Sequence, residues 1–225
     1  MKKGLMIGLM GAMTLVACNQ EKEKVEDQFN YTVEQFADLQ LLRFKVHGFE
    51  ELPLKQKELV YYLSEAALQG RDILFDQNGK YNLIIRKMLE VVYTDYQGDR
   101  SDANFKNFET YLKRVWFSNG IHHHYAADKF VPGFTPEFFK SALKSVDASK
   151  LPLMEGETLD ALCEEVFPVI FDAKVMAKRV NQADGEDLVL TSASNYYEGV
   201  TQKEAEDFYA KMKNPNDTMP VMFGM

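Results

Sequence analysis

Apolar residues from position 30 onward recur mostly at the 3.6-residue spacing of an amphipathic helix, and this period limits the folds open to the chain. One run, LVLTS at residues 188–192, has the composition of a strand instead. We therefore predict a mainly α fold with minor β structure near 188–192. The predicted helical segments are 32–46, 54–78, 81–98, 102–119, 135–143, 158–166, 172–180 and a last helix beginning at Thr201.

Capping signals define several of these helix ends. Thr32 with Gln35, and Thr201 with Glu204, fit capping boxes at the start of the first and last helices. Thr135-Pro136 fits an N-cap followed by the first helical residue. Pro168 predicts a break between the segments 158–166 and 172–180.

The overall composition is that of an acidic globular protein. The chain has 225 residues, of which 46% are hydrophobic and 27% are charged, and its net charge is -8. No basic run or basic–aromatic stripe offsets that charge, so the surface would repel phosphate backbones. We therefore exclude nucleic acid as a partner.

The first residues, MKKGLMIGLMGAMTLVACNQ, have the pattern of an export signal. Two lysines precede an apolar stretch that is too short to span a bilayer. Leu15-Val16-Ala17-Cys18 resembles a bacterial lipobox, so residues 1–17 are predicted to be a lipoprotein signal peptide and Cys18 the lipidated residue. The alternative is an ordinary secretory signal with an incidental cysteine. The polar residues 18–29 then form a flexible tether, and we expect an exported, membrane-anchored lipoprotein facing the periplasm or the cell exterior.

Cys163 remains alone once Cys18 carries lipid, so no intrachain disulfide is expected. It lies in TLDALCEEVF among apolar residues at helical spacing, which predicts a small buried hydrophobe. A catalytic thiol would need an activating base, and the local sequence supplies none.

Three of the four histidines are consecutive, at His122, His123 and His124. Zinc needs three or four ligands that converge on one point, whereas adjacent side chains diverge. No histidine is followed by glutamate, so the His-Glu-x-x-His pattern is missing. We predict a loop in which ring nitrogens bond backbone groups, and no metal site.

Substrate contacts have only weak candidates. Asn119, His122, His124 and Tyr125 are polar or aromatic groups after a predicted helix end, suited to bonding a peptide backbone or to fixing the loop. Four acids and amides of VNQADGED fit either a site for a free amine or a solvated turn; they are Asn181, Gln182, Asp184 and Asp187. No catalytic residue is predicted.

Four long segments resemble the N-terminal portion of bacterial dipeptidyl-peptidase III, a zinc metallopeptidase family. The similarity extends from Phe29 to Asp217, and the segments occur in the same order as in the family. The segments are LKQKELVYYLSEAALQGRDILFDQNGKYN, YLKRVWFSNGIHHHYAADKFVPGF, KRVNQADGEDLVLTSASNYYEGVT and EAEDFYAKMK.

The resemblance implies a two-lobed aminopeptidase that removes dipeptides from the N-termini of oligopeptides held between its lobes. It places this chain in the lobe without zinc, since the family's His-Glu-x-x-Gly-His helix has no counterpart here. Glu164-Glu165-Val166-Phe167 lacks the arginine and final acid of the family's second zinc motif. On this interpretation, residues 30–225 supply a scaffold and part of the cleft, and the lobe is truncated at its C-terminus. The chain alone is then expected to bind no zinc and to be inactive. The alternative is a non-catalytic, peptide- or protein-binding helical lipoprotein.

Overall fold

A computed structural model describes residues 29–213. The predicted signal peptide, Cys18 and nearly all of the tether lie outside the described residues, as does the segment 214–225. The described part is mainly helical with a small antiparallel sheet, which confirms the predicted fold class. The elements are β1 (Thr32–Phe36), β2 (Leu39–Leu42), α1 (Leu54–Gln69), α2 (Arg71–Asn78), α3 (Asn82–Asp95), α4 (Ala103–Ser118), α5 (Pro136–Ser145), α6 (Leu159–Phe171), α7 (Leu188–Thr191) and α8 (Gln202–Met212).

The hydrophobic core lies between α3, α4, α5 and α6. Phe108 of α4 is fully buried and packs with its ring near Phe134 and Phe139, at centroid distances of 5.5 and 5.9 Å. Such aromatic clusters add packing energy beyond the area they bury. Cys163 of α6 lies in the same core as a free thiol, which confirms its prediction as a buried hydrophobe, and burial raises its pKa.

Side-chain caps fix the helix starts that the sequence predicted. Asp102 accepts a hydrogen bond from the Asn104 amide at 2.8 Å at the start of α4. Thr135 caps α5 with proline in its first turn, and Thr201 forms the predicted capping box of α8. A cap of this kind stabilises a helix by about 1 kcal/mol.

The first predicted helix is wrong, because residues 32–42 form a hairpin. Ala37 and Asp38 make a tight turn, and Ala37 has φ 48. Thr32 does not cap a helix, since its hydroxyl accepts a cross-strand bond from Gln40 at 3.0 Å. The spacing of Phe36 from Leu39 suits a helix, but in the hairpin these two residues are cross-strand partners.

The strand predicted at residues 188–192 is also wrong. Leu188 to Thr191 form the short helix α7, because the Asp187 carboxylate accepts hydrogen bonds from the Val189 and Leu190 amides, each at 2.9 Å. The local cap therefore outweighs the strand preference of this apolar run.

The helix break predicted at Pro168 is wrong, since α6 continues through this residue to Phe171. Proline removes one backbone donor, but Val169 and Ile170 beyond it are buried in the core. The helix predicted over 172–180 is wrong. Those residues form turns that are held by other loops.

Helices α1 and α2 are poorly covered within the described chain. None of the 16 residues of α1 is buried, and Phe75 is the buried residue of α2. We call this surface the α1–α2 face; its exposed apolar side chains are Leu54, Leu59, Val60, Tyr61, Tyr62, Leu63, Leu68, Ile73 and Leu74. Among residues 29–213, no helix has the length and apolarity needed to cross a membrane.

Candidate functional site

The candidate segment begins where α4 ends. Asn119 adopts the left-handed conformation, with φ 52, and its carbonyl accepts a bond from Asn78 Nδ2 at 3.0 Å. Gly120 follows with φ 149, and a Cβ there would lie 2.4 Å from Asn82 Nδ2. Asn82 Oδ1 accepts from the Ile121 amide at 3.2 Å. These contacts direct the chain from α4 into the histidine loop.

His122 is buried, with 2% of its surface exposed, and its Nε2 lies 2.7 Å from the Met176 carbonyl. Because a carbonyl only accepts, Nε2 donates and the imidazole is in its Nε2–H tautomer. Burial lowers the pKa of His122, which favours the neutral ring. This geometry bears out the predicted loop-fixing role and leaves the ring away from solvent.

His123 and His124 face more open surroundings. His123 Nδ1 accepts bonds from the Tyr125 and Ala126 amides at 3.2 and 3.1 Å, which closes the turn. The His124 ring stacks on His123 at 4.5 Å, and burial lowers its pKa. Tyr125 is 87% exposed. Asn119, His124 and Tyr125 therefore stay predicted contacts, whereas His122 is enclosed.

Lys129 fixes the other side of this loop. Its ammonium donates to the carbonyls of Val169, at 3.0 Å, and of Asp172 and Val175. These carbonyls lie at and just beyond the end of α6, where a helix leaves acceptors unsatisfied and favours positive charge. Desolvation lowers the pKa of Lys129.

Backbone hydrogen bonds join three loops side by side. Lys129 donates to Ala177 at 3.2 Å, Arg179 donates to Ala127 at 2.8 Å, and Ser194 donates to Arg179 at 3.1 Å. We call residues 119–131 and 176–197 the loop layer. The structure thus brings the histidine loop and the VNQADGED segment, predicted as separate candidates, into one surface.

The four candidate residues of VNQADGED have two different roles. Asn181 bonds Thr191 Oγ1 at 3.0 Å, and Asp187 accepts from the Gln202 amide, so both hold local structure. Backbone hydrogen bonds lower the pKa of Asp187. Gln182 and Asp184 are exposed, and their side chains make no hydrogen bond to other residues in the described range. These two groups are free to contact a ligand.

A pocket of about 130 Å³ opens beside Gln182 in the loop layer. Val180, Leu188 and Val189 supply apolar walls, and Tyr196, 62% exposed, lies at its edge. Cavities of about 150 Å³ with apolar walls accept a benzene ring. The pocket therefore has room for one apolar side chain beside a free amide.

The residues of the loop layer do not fit zinc. His122 Nε2 and His123 Nδ1 are already used in backbone hydrogen bonds. Over residues 29–213, no group of three or more His, Cys, Asp or Glu side chains is placed to hold a metal ion.

Sequence reasoning missed both Lys129 and the pocket beside Gln182. Lys129 carried a weak signal, since it is followed by Phe130-Val131-Pro132 and so stands next to apolar chain. The sequence carried no signal for the pocket, because LVLTS was interpreted as a strand and the pocket depends on helix α7. A scan of protein-family models and a search of curated proteins each found no match to the chain.

Proposed function

We propose that this chain is the N-terminal part of a lipid-anchored enzyme of the dipeptidyl-peptidase III kind, and that the loop layer is part of the wall that binds oligopeptides. Zinc and the catalytic groups would belong to the other lobe. The chain itself would bind and position the peptide.

One observation carries the proposal. The segment KRVNQADGEDLVLTSASNYYEGVT, which bears the resemblance, also forms the pocket and supplies Gln182 and Asp184. An apolar side chain fits the pocket, the Gln182 amide can bond a peptide group, and the Asp184 carboxylate suits a free amine. These three features match an oligopeptide with a free N-terminus.

The α1–α2 face gives independent support. Nine large apolar side chains on these two helices are exposed within the described chain. Large exposed apolar surfaces usually contact another protein element. Further chain of a larger enzyme would cover it. We expect the isolated mature chain to bind a hydrophobic dye and to self-associate.

The test measures peptide binding by calorimetry, with the tetrapeptide Ala-Leu-Ala-Ala as the probe, once with a free amine and once acetylated. We expect the free-amine form to bind more tightly. Asp184→Asn should weaken the free form only, by at most about fivefold, because an exposed charge contact contributes at most about 1 kcal/mol. Gln182→Ala should weaken both forms. Lys106→Ala, on exposed α4 surface, is the control and should change neither.

Activity separates the enzyme fragment from the alternative. The chain alone should release no dipeptide from a dipeptidyl-arylamide, even with added zinc, and should become active only when extended through a zinc-binding lobe. If the chain is a dye-silent monomer that binds the tetrapeptide, the non-catalytic binding lipoprotein replaces the enzyme fragment. Absence of tetrapeptide binding would reject the peptide wall.

A further inference from the structure

A larger cleft lies between the inner face of the hairpin and helices α3 and α4. Its volume is about 430 Å³, within the range of small-molecule sites. Glu34 and Phe36 of β1 form one wall, and Trp116 and Phe117 of α4 form another. This cleft shares no residue with the loop-layer pocket, so what it binds is independent of the proposed peptide wall.

Aromatic rings dominate the cleft. Tyr93 and Trp116 meet edge to face, with centroids 5.6 Å apart and an angle of 86°. Trp116 Nε1 donates to Glu90 Oε1 at 2.9 Å, which fixes the orientation of the indole. Trp116 and Phe117 are each 37% exposed, so they remain open to a ligand. Ring faces carry negative electrostatic potential and attract cations.

The charges in and beside the cleft favour a cation as well. Lys113 Nζ lies 2.5 Å from Glu34 Oε1 and 3.0 Å from Glu109 Oε1. One ammonium faces two carboxylates, which leaves one negative charge in excess. The same Nζ lies 6.0 Å from the centroid of Phe36, so an ammonium group already sits near one of these rings.

We propose that this cleft binds a small organic ammonium ion of the alkylated class, with its cation against the rings of Tyr93, Trp116 and Phe117. The excess carboxylate charge disfavours anions. A neutral ligand of the same shape would gain the apolar contacts but neither the ring nor the carboxylate attraction. The observations therefore favour a cation over its uncharged isostere.

Trp116 reports on this cleft directly, because it is the chain's only tryptophan. The test titrates the protein with choline and with 3,3-dimethylbutan-1-ol, a neutral molecule of nearly the same shape, and follows the tryptophan emission. We expect a saturable change with choline and affinity about tenfold weaker for the alcohol, since the neutral molecule lacks the cation–π attraction. Equal affinity for both molecules, or no saturable change, would reject the proposal.

Two charge variants of opposite sign sharpen the test. Glu109→Gln removes one carboxylate but keeps the pair of Lys113 with Glu34, so the hairpin stays attached. It should weaken choline binding about threefold to tenfold. Glu109→Gln should not alter binding of the alcohol. Lys113→Met should strengthen choline binding relative to that of the alcohol by a similar factor, with the Asp38–Arg114 pair still holding the hairpin against α4.

A variant that keeps an aromatic ring at position 116 separates choline binding from the fluorescence signal. Trp116→Phe keeps an aromatic face but removes the fluorophore, so choline should still bind when measured by calorimetry. A shift of choline affinity in the same direction in Glu109→Gln and Lys113→Met would overturn the charge argument, as would loss of the preference for choline in Trp116→Phe.

Discussion

Helices α1 and α4 have the same length, 16 residues, yet α4 buries six residues and α1 buries none. Both have strong apolar content, so the difference lies in its arrangement. The buried apolar residues of α4 form one stripe against the core. In α1, by contrast, five apolar residues are consecutive and surround the helix, namely Leu59, Val60, Tyr61, Tyr62 and Leu63. A helix that is apolar on all sides needs neighbours on several sides. The described chain does not supply them.

Paired leucine substitutions test this contrast most strongly. Leu112→Ala in α4 should lower the free energy of unfolding by about 2–5 kcal/mol, because Leu112 is fully buried and its removal leaves a cavity. Leu63→Ala in α1, where Leu63 is 60% exposed, should cost less than about 0.5 kcal/mol. Chemical denaturation measures both. Similar losses would mean that α1 is covered in solution, as it would be in a self-associated form.

Lys129 joins the loop layer to the end of α6, and a substitution at this residue tests how much that connection contributes to stability. Lys129→Met keeps the aliphatic stem but leaves the carbonyls of Val169, Asp172 and Val175 without this donor. We expect a loss of about 1–3 kcal/mol in the free energy of unfolding. Lys106→Met, at an exposed position of α4, is the matched control. An unchanged unfolding midpoint for Lys129→Met would show that these bonds contribute no net stability.

His122 should make the loop layer acid-sensitive. Its pKa is lowered in the folded state, first by burial, so the unfolded chain binds the proton more tightly. Stability should therefore fall as the pH drops below the unfolded-state pKa of about 6.5, by at most about 1.4 kcal/mol per pH unit. Unfolding midpoints at pH 7 and pH 5 measure the slope. His122→Gln should flatten it and the exposed control His47→Gln should not; a slope unchanged in His122→Gln would assign the acid sensitivity to other groups.

The smallest effect is expected at the hairpin. Asp38 bonds Arg114 of α4 at 2.6 Å, and both side chains are partly exposed. Asp38→Asn should cost at most about 1 kcal/mol, because salt and side-chain entropy weaken such pairs. Hydrogen exchange of the β1 and β2 amides should detect it. Protection lost from α4 as well would show that the hairpin is part of the core's cooperative unit.

The sequence alone determined the helices that combine a clear apolar stripe with local caps. Asp102 with Asn119, Thr135 with Pro136, and Thr201 with Glu204 fixed helix ends from neighbouring residues, so α4, α5 and α8 were predictable. The loop role of His122 was predictable because adjacent side chains cannot converge on one metal. In each helix the deciding cap joins residues a few positions apart, whereas the Met176 carbonyl that His122 bonds lies 54 residues further along the chain.

Only the tertiary structure decided the remaining parts. Phe36, Leu39 and Leu42 fit a helical period, yet residues 32–42 form a hairpin. The hairpin is fixed against α4 by the pairs Glu34–Lys113 and Asp38–Arg114, whose members are 79 and 76 residues apart. Helix α6 continues past Pro168 because distant core contacts and Lys129 outweigh one missing backbone bond. The aromatic cleft and the loop layer likewise join distant segments. Local periodicity cannot encode such contacts, because their free energy exists only once the segments are packed together.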